Sequence, residues 1–278
     1  MSTENLLLRE RQALILTRLR SDGRVLAPDL AAALNVSEDT IRRDLRDLAA
    51  AGLCQKVYGG ALSLPLPPDR GSLSERSVLQ TAGKSLLASA AATVVTAGDV
   101  LFIDAGSTNL LIAAALPDLP LTVVTNAPAI AALLLDRPQI ELIVLGGRID
   151  RHSGACLGAG ALREAELIRP DWFFLGACGA DADAGITAFD FDEAAFKRRV
   201  AEASKAVLVA ATIDKLGTAA PYAVLPAARL SHLVIEHDAD GKQAAAFAAL
   251  GVQVLRAKTT GTTANTTDTT ATSIKGAA

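Results

Sequence analysis

Hydrophobic positions follow two different patterns along the 278 residues. Up to residue 64 they recur at helical spacing. Leu8 lies two turns behind Leu14 and Ile15, and Ile15 and Leu19 are four apart, which predicts a helix over Glu10–Arg20. Ser21-Asp22-Gly23 ends it, and Val25-Leu26 forms at most a short strand. Pro28 suits the first turn of a second helix, Asp29 to Leu34, where a missing N–H does no harm. Asn35-Val36 makes the turn. Ser37 then caps a third helix whose positive end takes Glu38 and Asp39, and which runs to about Ala51 and stops at Gly52. Ile41, Leu45 and Leu48 fall on one stripe of that helix. From about residue 75 the pattern changes. The runs VLFID, LTVVTN, IELIVLGG, WFFLGA, AVLVAA, HLVIE and VQVL are β-type, and Ala/Leu-rich helical stretches separate them. This alternation predicts βαβ units and an α/β domain with a mainly parallel sheet, helices on both faces.

Two further segments set the organisation. Residues 65–74, PLPPDRGSLS, read as a linker, and residues 258–278 are mostly Thr, Ala and Gly with no apolar period, so a disordered tail is expected. The division is therefore 1–64, a linker at 65–74, an α/β domain at 75–257, and a tail at 258–278. Aromatic residues make up only 4% of the chain, so Ala, Val and Leu must fill the interior. The net charge of −3 excludes a global basic field, and any nucleic-acid partner must meet a local surface. Residues 1–64 hold 9 basic and 8 acidic side chains, which argues against non-specific nucleoid binding. Cys54, Cys156 and Cys178 form no CxxC pair, and no disulfide framework is expected. The N-terminus has no signal-peptide pattern, and no apolar run reaches the roughly 20 residues a bilayer needs. A cytoplasmic protein is expected. His152, His232 and His237 lack metal-ligand spacing, and neither metal nor cofactor is anticipated.

The third helix carries the first candidate chemistry. At about 100° per residue, Arg43 and Arg46 point away from the apolar stripe, with Arg42 on one flank and Thr40 on the other. A short helix, a tight turn and a second helix with an Arg-bearing outer face is the form that enters a major groove. Arg can bind guanine through two parallel bonds, and Ser37 or Thr40 can reach phosphate or base. In the following LCQKVYGGALSL, Leu53, Val57 and Leu62 fit two short strands around Tyr58-Gly59-Gly60. Such a wing offers Lys56 and backbone amides to phosphate or minor groove. The plain alternative is a three-helix knob for protein contact.

In the α/β segment the strand VLFID ends at Asp104, followed by Ala105-Gly106-Ser107-Thr108 and a helix beginning near Asn109. Gly106 lets backbone approach a ligand, and the Ser107 and Thr108 amides at a helix N-terminus attract anions. Many such turns merely cap a helix. However, further strand ends are polar or glycine-rich: Thr125-Asn126, Gly146-Gly147, and Gly176 through Gly179 to Asp181. In an open α/β sheet the ligand lies beyond the carboxyl ends of the strands, so these ends together define a candidate site. Lys197-Arg198-Arg199 and Lys215 supply counter-charge for a phosphate, unless Lys197–Arg199 is simply a solvated helix face.

The order ERQALILTRLRSDGRV, LAAALNVSEDTIRRDLRDLAAAGL and VYGGA closely resembles the DNA-binding segment of the DeoR family of bacterial regulators. Gln55-Lys56 stands where that family often has Arg at the wing entrance. Residues 75–257 resemble the family's effector domain through Lys84, the DAGST loop, VVTN, LGG, FFLGACGAD, Gly185-Ile186-Thr187, Lys197-Arg198 and DKLG. One departure is clear: the family pattern Asp-x-Ser-Lys-Phe is here Thr212-Ile213-Asp214-Lys215-Leu216, so the acidic residue has moved. The resemblance implies a winged helix-turn-helix joined to a Rossmann-like domain similar to ribose-5-phosphate isomerase and CoA-transferase-type proteins. It also implies operator DNA and a phosphorylated sugar or related metabolite as partners, a repressor's function and a homo-oligomer. The competing expectation is a sugar-phosphate isomerase or transferase with Asp104, Asp181, Glu193 and Lys197 as acid/base groups.

Overall fold

The computed structural model describes residues 7–50, 53–63 and 71–258. The expected tail, the helix stop at Gly52 and most of the linker lie outside them. The N-terminal module opens with α1 (Leu8–Asp22), β1 (Arg24–Leu26), α2 (Ala27–Leu34) and α3 (Glu38–Ala50), and closes with β2 (Gln55–Val57) and β3 (Gly60–Leu62). The three strands form one antiparallel sheet in the order β1-β3-β2. A buried cluster of Ile15, Leu19, Leu30, Leu34, Ile41, Leu45, Leu48 and Ala61 joins the three helices to that sheet. The expected stripe of α3 is therefore its core face.

A polar pair also holds this module. The Arg11 Nε of α1 lies 2.5 Å from Asp44 Oδ2 of α3, and Nη2 donates to Oδ1 at 3.1 Å. Asp44 is buried, so one of the helix's acidic residues is withdrawn from the outer face and pins α3 against α1. The hairpin depends on Gly60. A Cβ there would run into the Val25 carbonyl, and the Gly59 carbonyl accepts from Ala27 N at 2.8 Å.

The second domain continues with α4 (Leu73–Val78), α5 (Thr81–Ala92), β4 (Val100–Ile103), α6 (Ser107–Ala114), β5 (Leu121–Thr125), α7 (Pro128–Leu134) and β6 (Ile140–Val144). A small hairpin, β7 (Arg148–Ile149) and β8 (Cys156–Leu157), precedes α8 (Ala159–Ala165) and β9 (Trp172–Phe174). Then come β10 (Gly179–Asp181), β11 (Gly185–Ala188), α9 (Phe191–Ala203), β12 (Ala206–Ala211) and β13 (Tyr222–Leu225). The domain ends with β14 (His232–Ile235), α10 (Gly241–Ala249) and β15 (Gln253–Arg256).

The seven apolar runs of the sequence supply the seven strands of one sheet, ordered β15-β14-β12-β9-β4-β5-β6, and every neighbouring pair is parallel. Phe102, Phe173, Phe174 and Phe196 sit at its centre, with Phe102 and Phe173 edge-to-face at 5.4 Å. Ala88, Ala91, Ala113, Ala194 and Ala201 are buried around them, the small side chains that so few aromatics require. Strand order reverses between β4 and β9. One half of the sheet builds outward from β4 and the other from β9, so right-handed crossovers put their helices on opposite faces. The carboxyl ends of β4 and β9 flank the crevice at that reversal. The stretch read as one continuous strand end, Gly176 to Asp181, divides. β9 stops at Phe174, and β10 pairs with β11 and β13 in a separate antiparallel sheet.

Arg11→Ala should leave Asp44 buried and unpaired and cost the N-terminal module about 3–5 kcal/mol. Urea unfolding followed by circular dichroism measures this, and a loss under about 1 kcal/mol would show that the pair does not hold α3 in place.

Candidate nucleic-acid interface and effector cleft

The outer surface of α3 carries the expected side chains. Ser37 Oγ accepts from Thr40 N at 3.2 Å and lies 2.9 Å from Thr40 Oγ1, so this pair closes the helix start. Arg42 is tied back within the helix, with Nη2 donating to Glu38 Oε2 at 2.7 Å and Nη1 3.8 Å from Asp39. Arg46 Nε donates to the Arg42 carbonyl at 3.3 Å. Arg43 is exposed beside them. Lys56 sits on β2, and Tyr58, fully exposed at 106%, forms the wing tip with Gly59, whose φ of 80° requires a residue tolerant of the left-handed region. Arg42, Leu45, Lys56 and residues 57–60 line a groove of about 600 Å³ between α3 and the wing. Helix and wing thus share one concave face, the shape that straddles a duplex backbone.

At the switch point, Gly106 occupies the cap position of α6, so no side chain competes for the first-turn amides. The helix starts at Ser107, two residues earlier than the sequence suggests, which brings Ser107 and Thr108 into that first turn. Asn109 Nδ2 donates to the carbonyls of Asp104 and Phe174 at 2.9 Å each, fastening the ends of β4 and β9 together. Gly176 is required by proximity, because a Cβ there would lie 2.5 Å from the Ala105 carbonyl and 2.9 Å from Asp104 Oδ2. The cleft is narrow, with a cavity volume of about 20 Å³, and is lined by Gly106, Ser107, Thr108, Asn109, Lys197 and Lys215 together with Arg76, Ser153, Cys178 and Glu193.

Lys197 projects inward from α9 and is almost wholly buried. Its Nζ is 2.5 Å from Glu193 Oε1 and 3.3 Å from Asp104 Oδ2, and it donates to the Gly176 carbonyl at 2.5 Å. Burial opposes its charge, but the Asp104 and Glu193 carboxylates outweigh it and hold the ammonium pKa above the usual lysine range. Burial pushes the Asp104 carboxyl up, against the pull of Lys197 and with the repulsion of Glu193. Lys197 is thus already neutralised and serves mainly as the core of the site. Arg198, which donates to the Ala223 carbonyl, and Arg199, beside Glu166, stay outside.

Lys215 supplies the charge that Lys197 does not. Its Nζ donates to the Ala177 carbonyl at 2.7 Å, and burial, with Arg76 and Lys197 nearby, lowers its pKa. A bound anion would reverse that shift. Arg76, on α4, was not a sequence candidate. Its Nη2 donates to the His152 carbonyl at 2.9 Å, and its own carbonyl accepts from Lys84 Nζ at 2.6 Å. The remaining sequence candidates do not line the cleft. Thr125 Oγ1 donates to the Ile103 carbonyl, and buried Asn126 faces Cys156. Gly146 and Gly147 are exposed beyond β6, Gly179 packs against Thr218, and Asp181 accepts from the amides of Asp183 and Ala184 at 2.9 Å each.

A helix–wing face and a separate anion-attracting cleft define a ligand-responsive DNA-binding protein. The chain belongs to the DeoR family of transcriptional regulators: residues 11–65 match the DeoR-like helix-turn-helix domain and residues 79–237 the DeoR C terminal sensor domain. It is 29% identical over 249 residues to a putative aga operon transcriptional repressor of Escherichia coli O157:H7, covering 88% of this chain and 93% of that one. It is 32% identical over 204 residues to the glycerol-3-phosphate regulon repressor of Escherichia coli K12, covering 73% and 81%. Among solved structures, ribose 5-phosphate isomerase A from Methanocaldococcus jannaschii overlaps 49% of this chain and 54% of its own, at 16% identity and a TM-score of 0.37.

Lys197→Met should cost the sensor domain about 3–5 kcal/mol at neutral pH by leaving Asp104 and Glu193 without their shared cation. In that variant burial without the cation makes the folded Asp104 bind a proton more readily than the unfolded chain does. The deficit relative to wild type should therefore shrink as pH falls towards about 4, the unfolded carboxylate value. Thermal unfolding across pH tests both, and a deficit that grows on acidification would contradict this charge assignment.

Proposed function

We propose that the chain is a sequence-specific transcriptional repressor of a carbohydrate-metabolism operon. It acts as a cytoplasmic homo-oligomer and leaves its operator when a phosphorylated sugar or related metabolite enters the switch-point cleft. The observation that carries this is the cleft itself: an uncapped helix N-terminus faces Lys215 and Arg76 in a chain whose other module presents a helix and a wing. Backbone amides and two cations suit a phosphate dianion. Two similar proteins are named as repressors, of an aga operon and of a glycerol-3-phosphate regulon, which supports both the repression and the class of metabolite. No helix among the described residues is long and apolar enough to cross a membrane.

The site favours sensing over turnover. Asp104 and Lys197 are locked to each other in the interior, and Asp181 is spent on a turn outside the cleft. Glu193 remains, but it is held by Lys197. General acid/base work needs a group poised to reach substrate and exchange its proton, and these carboxylates are committed to structure. In the proposed mechanism, two recognition helices sit about 34–36 Å apart on adjacent half-sites. The effector shifts the population towards an arrangement that breaks this spacing.

Fluorescence anisotropy with DNA from the gene's own upstream region, with and without a panel of sugar phosphates, tests the reading. Tight, sequence-dependent binding released by one compound is expected. Arg43→Ala should weaken specific binding by about 1–3 kcal/mol and relax base choice. Equal affinity for cognate and scrambled DNA, or turnover of a panel member, would overturn the proposal.

A further inference from the structure

The two edges of the seven-stranded sheet are finished differently. β15 ends its edge in charge: Arg256 Nη1 donates to the His237 and Ala239 carbonyls at 2.9 Å each, and Lys258 follows. β6 forms the other edge and pairs only with β5 among the described residues. Its residues are Ile140, Glu141, Leu142, Ile143 and Val144, with one charge and no proline. Ile143 is 40% and Val144 47% exposed, and Leu133, Leu135 and Ile149 on the flanking segments add exposed apolar surface. An open, apolar edge strand is a template for pairing, and folded proteins usually blunt such an edge with lysine, proline or a bulge.

We infer that β6 is a subunit interface, at which the strand pairs antiparallel with β6 of a second copy of this chain about a twofold axis through Leu142. This places the homo-oligomer of the proposed function and rests on that reading. Side chains support a second copy as the occupant. In the twofold register Ile140 faces Val144, Leu142 faces its own mate, and Glu141 faces Ile143, so the two carboxylates never oppose each other. Glu141 is exposed and accepts from Thr122 Oγ1 at 3.3 Å within its own subunit, so its carboxylate can stay solvated at the rim of the seam. Exposed Leu133, Leu135 and Ile149 on the flanking segments extend the apolar surface beyond the strand itself. A closed twofold contact matches the symmetry of paired half-sites.

The register gives a charge test on the full chain, read by sedimentation equilibrium. Ile143→Glu opposes two carboxylates at each end of the paired strands and should raise the dimer dissociation constant by tenfold or more. Ile143→Lys, which meets Glu141 of the other copy, should change it by less than threefold. Adding Glu141→Lys to Ile143→Glu should restore association. Because these positions are exposed, thermal unfolding should stay near wild type. As a second measurement, Leu142→Cys should give a covalent dimer with a short thiol crosslinker, while Leu167→Cys, exposed elsewhere, should not. A monomeric wild-type chain would overturn both the oligomer and this surface, including the case in which the chain's own C-terminal residues cover β6. A wild-type oligomer indifferent to Ile143→Glu and uncrosslinked through Leu142→Cys would keep the oligomer and reject β6 as its seam.

Discussion

The sensor domain is organised around one buried cation. Lys197 reaches across the crevice between β4 and β9 and engages Asp104 at the end of one strand, the Gly176 carbonyl just past the other, and Glu193 on its own helix. Removing an ammonium group from water costs several kcal/mol, and two carboxylates and a carbonyl offset that cost only while all three hold position. The backbone is shaped to keep them there. Gly176 is bare because Asp104 and the Ala105 carbonyl lie where a Cβ would stand, and its amide donates to Asp104 Oδ2 at 3.1 Å. Asn109 binds the same two strand ends from the first turn of α6.

This arrangement separates two jobs that a count of basic residues merges. A buried, paired lysine holds geometry, whereas a cation with its charge uncompensated recruits an anion. The second job falls to Lys215 and Arg76 at the rim of the cleft. Arg76 comes from α4, which begins at Leu73 inside the expected linker, and its carbonyl holds Lys84. An anion that draws the Arg76 guanidinium inward would therefore act on the segment nearest the DNA-binding module in sequence.

Much of this was legible in the sequence, for definable reasons. The seven β-type runs became seven strands because each is a short run rich in β-branched and other apolar residues, a local property. The stripe on α3 is also local and lies where the pattern places it; the glycine-bearing loop before α6 is there too, but shorter, because Ser107 and Thr108 join the helix. What was hidden is non-local. Strand order decides which polar ends meet, so Gly106 and Lys215 share a cleft, while Thr125 and Asn126 serve the packing around β5. Gly179 and Asp181 went astray because a short Gly-rich strand carries no sign of which sheet it will join. Arg76 was missed because only tertiary packing brings α4 to the cleft, and Asp44 because an acid near the core stripe shows itself as a tether only when Arg11 arrives from α1.

The N-terminal module applies the same logic to its weak charge. With 9 basic and 8 acidic side chains, its first 64 residues have almost no net attraction for a polyanion. The fold corrects the local balance by placement: Asp44 turns inward to Arg11, while Glu38 and Asp39 hold Arg42 along the helix start. Arg43 remains on the outer surface, next to a groove that Lys56 lines from the wing. A surface with little general charge and a few well-placed cations gives up non-specific affinity, so more of its binding free energy must come from matching bases. That bias suits a regulator that must leave its site when a small ligand shifts the balance.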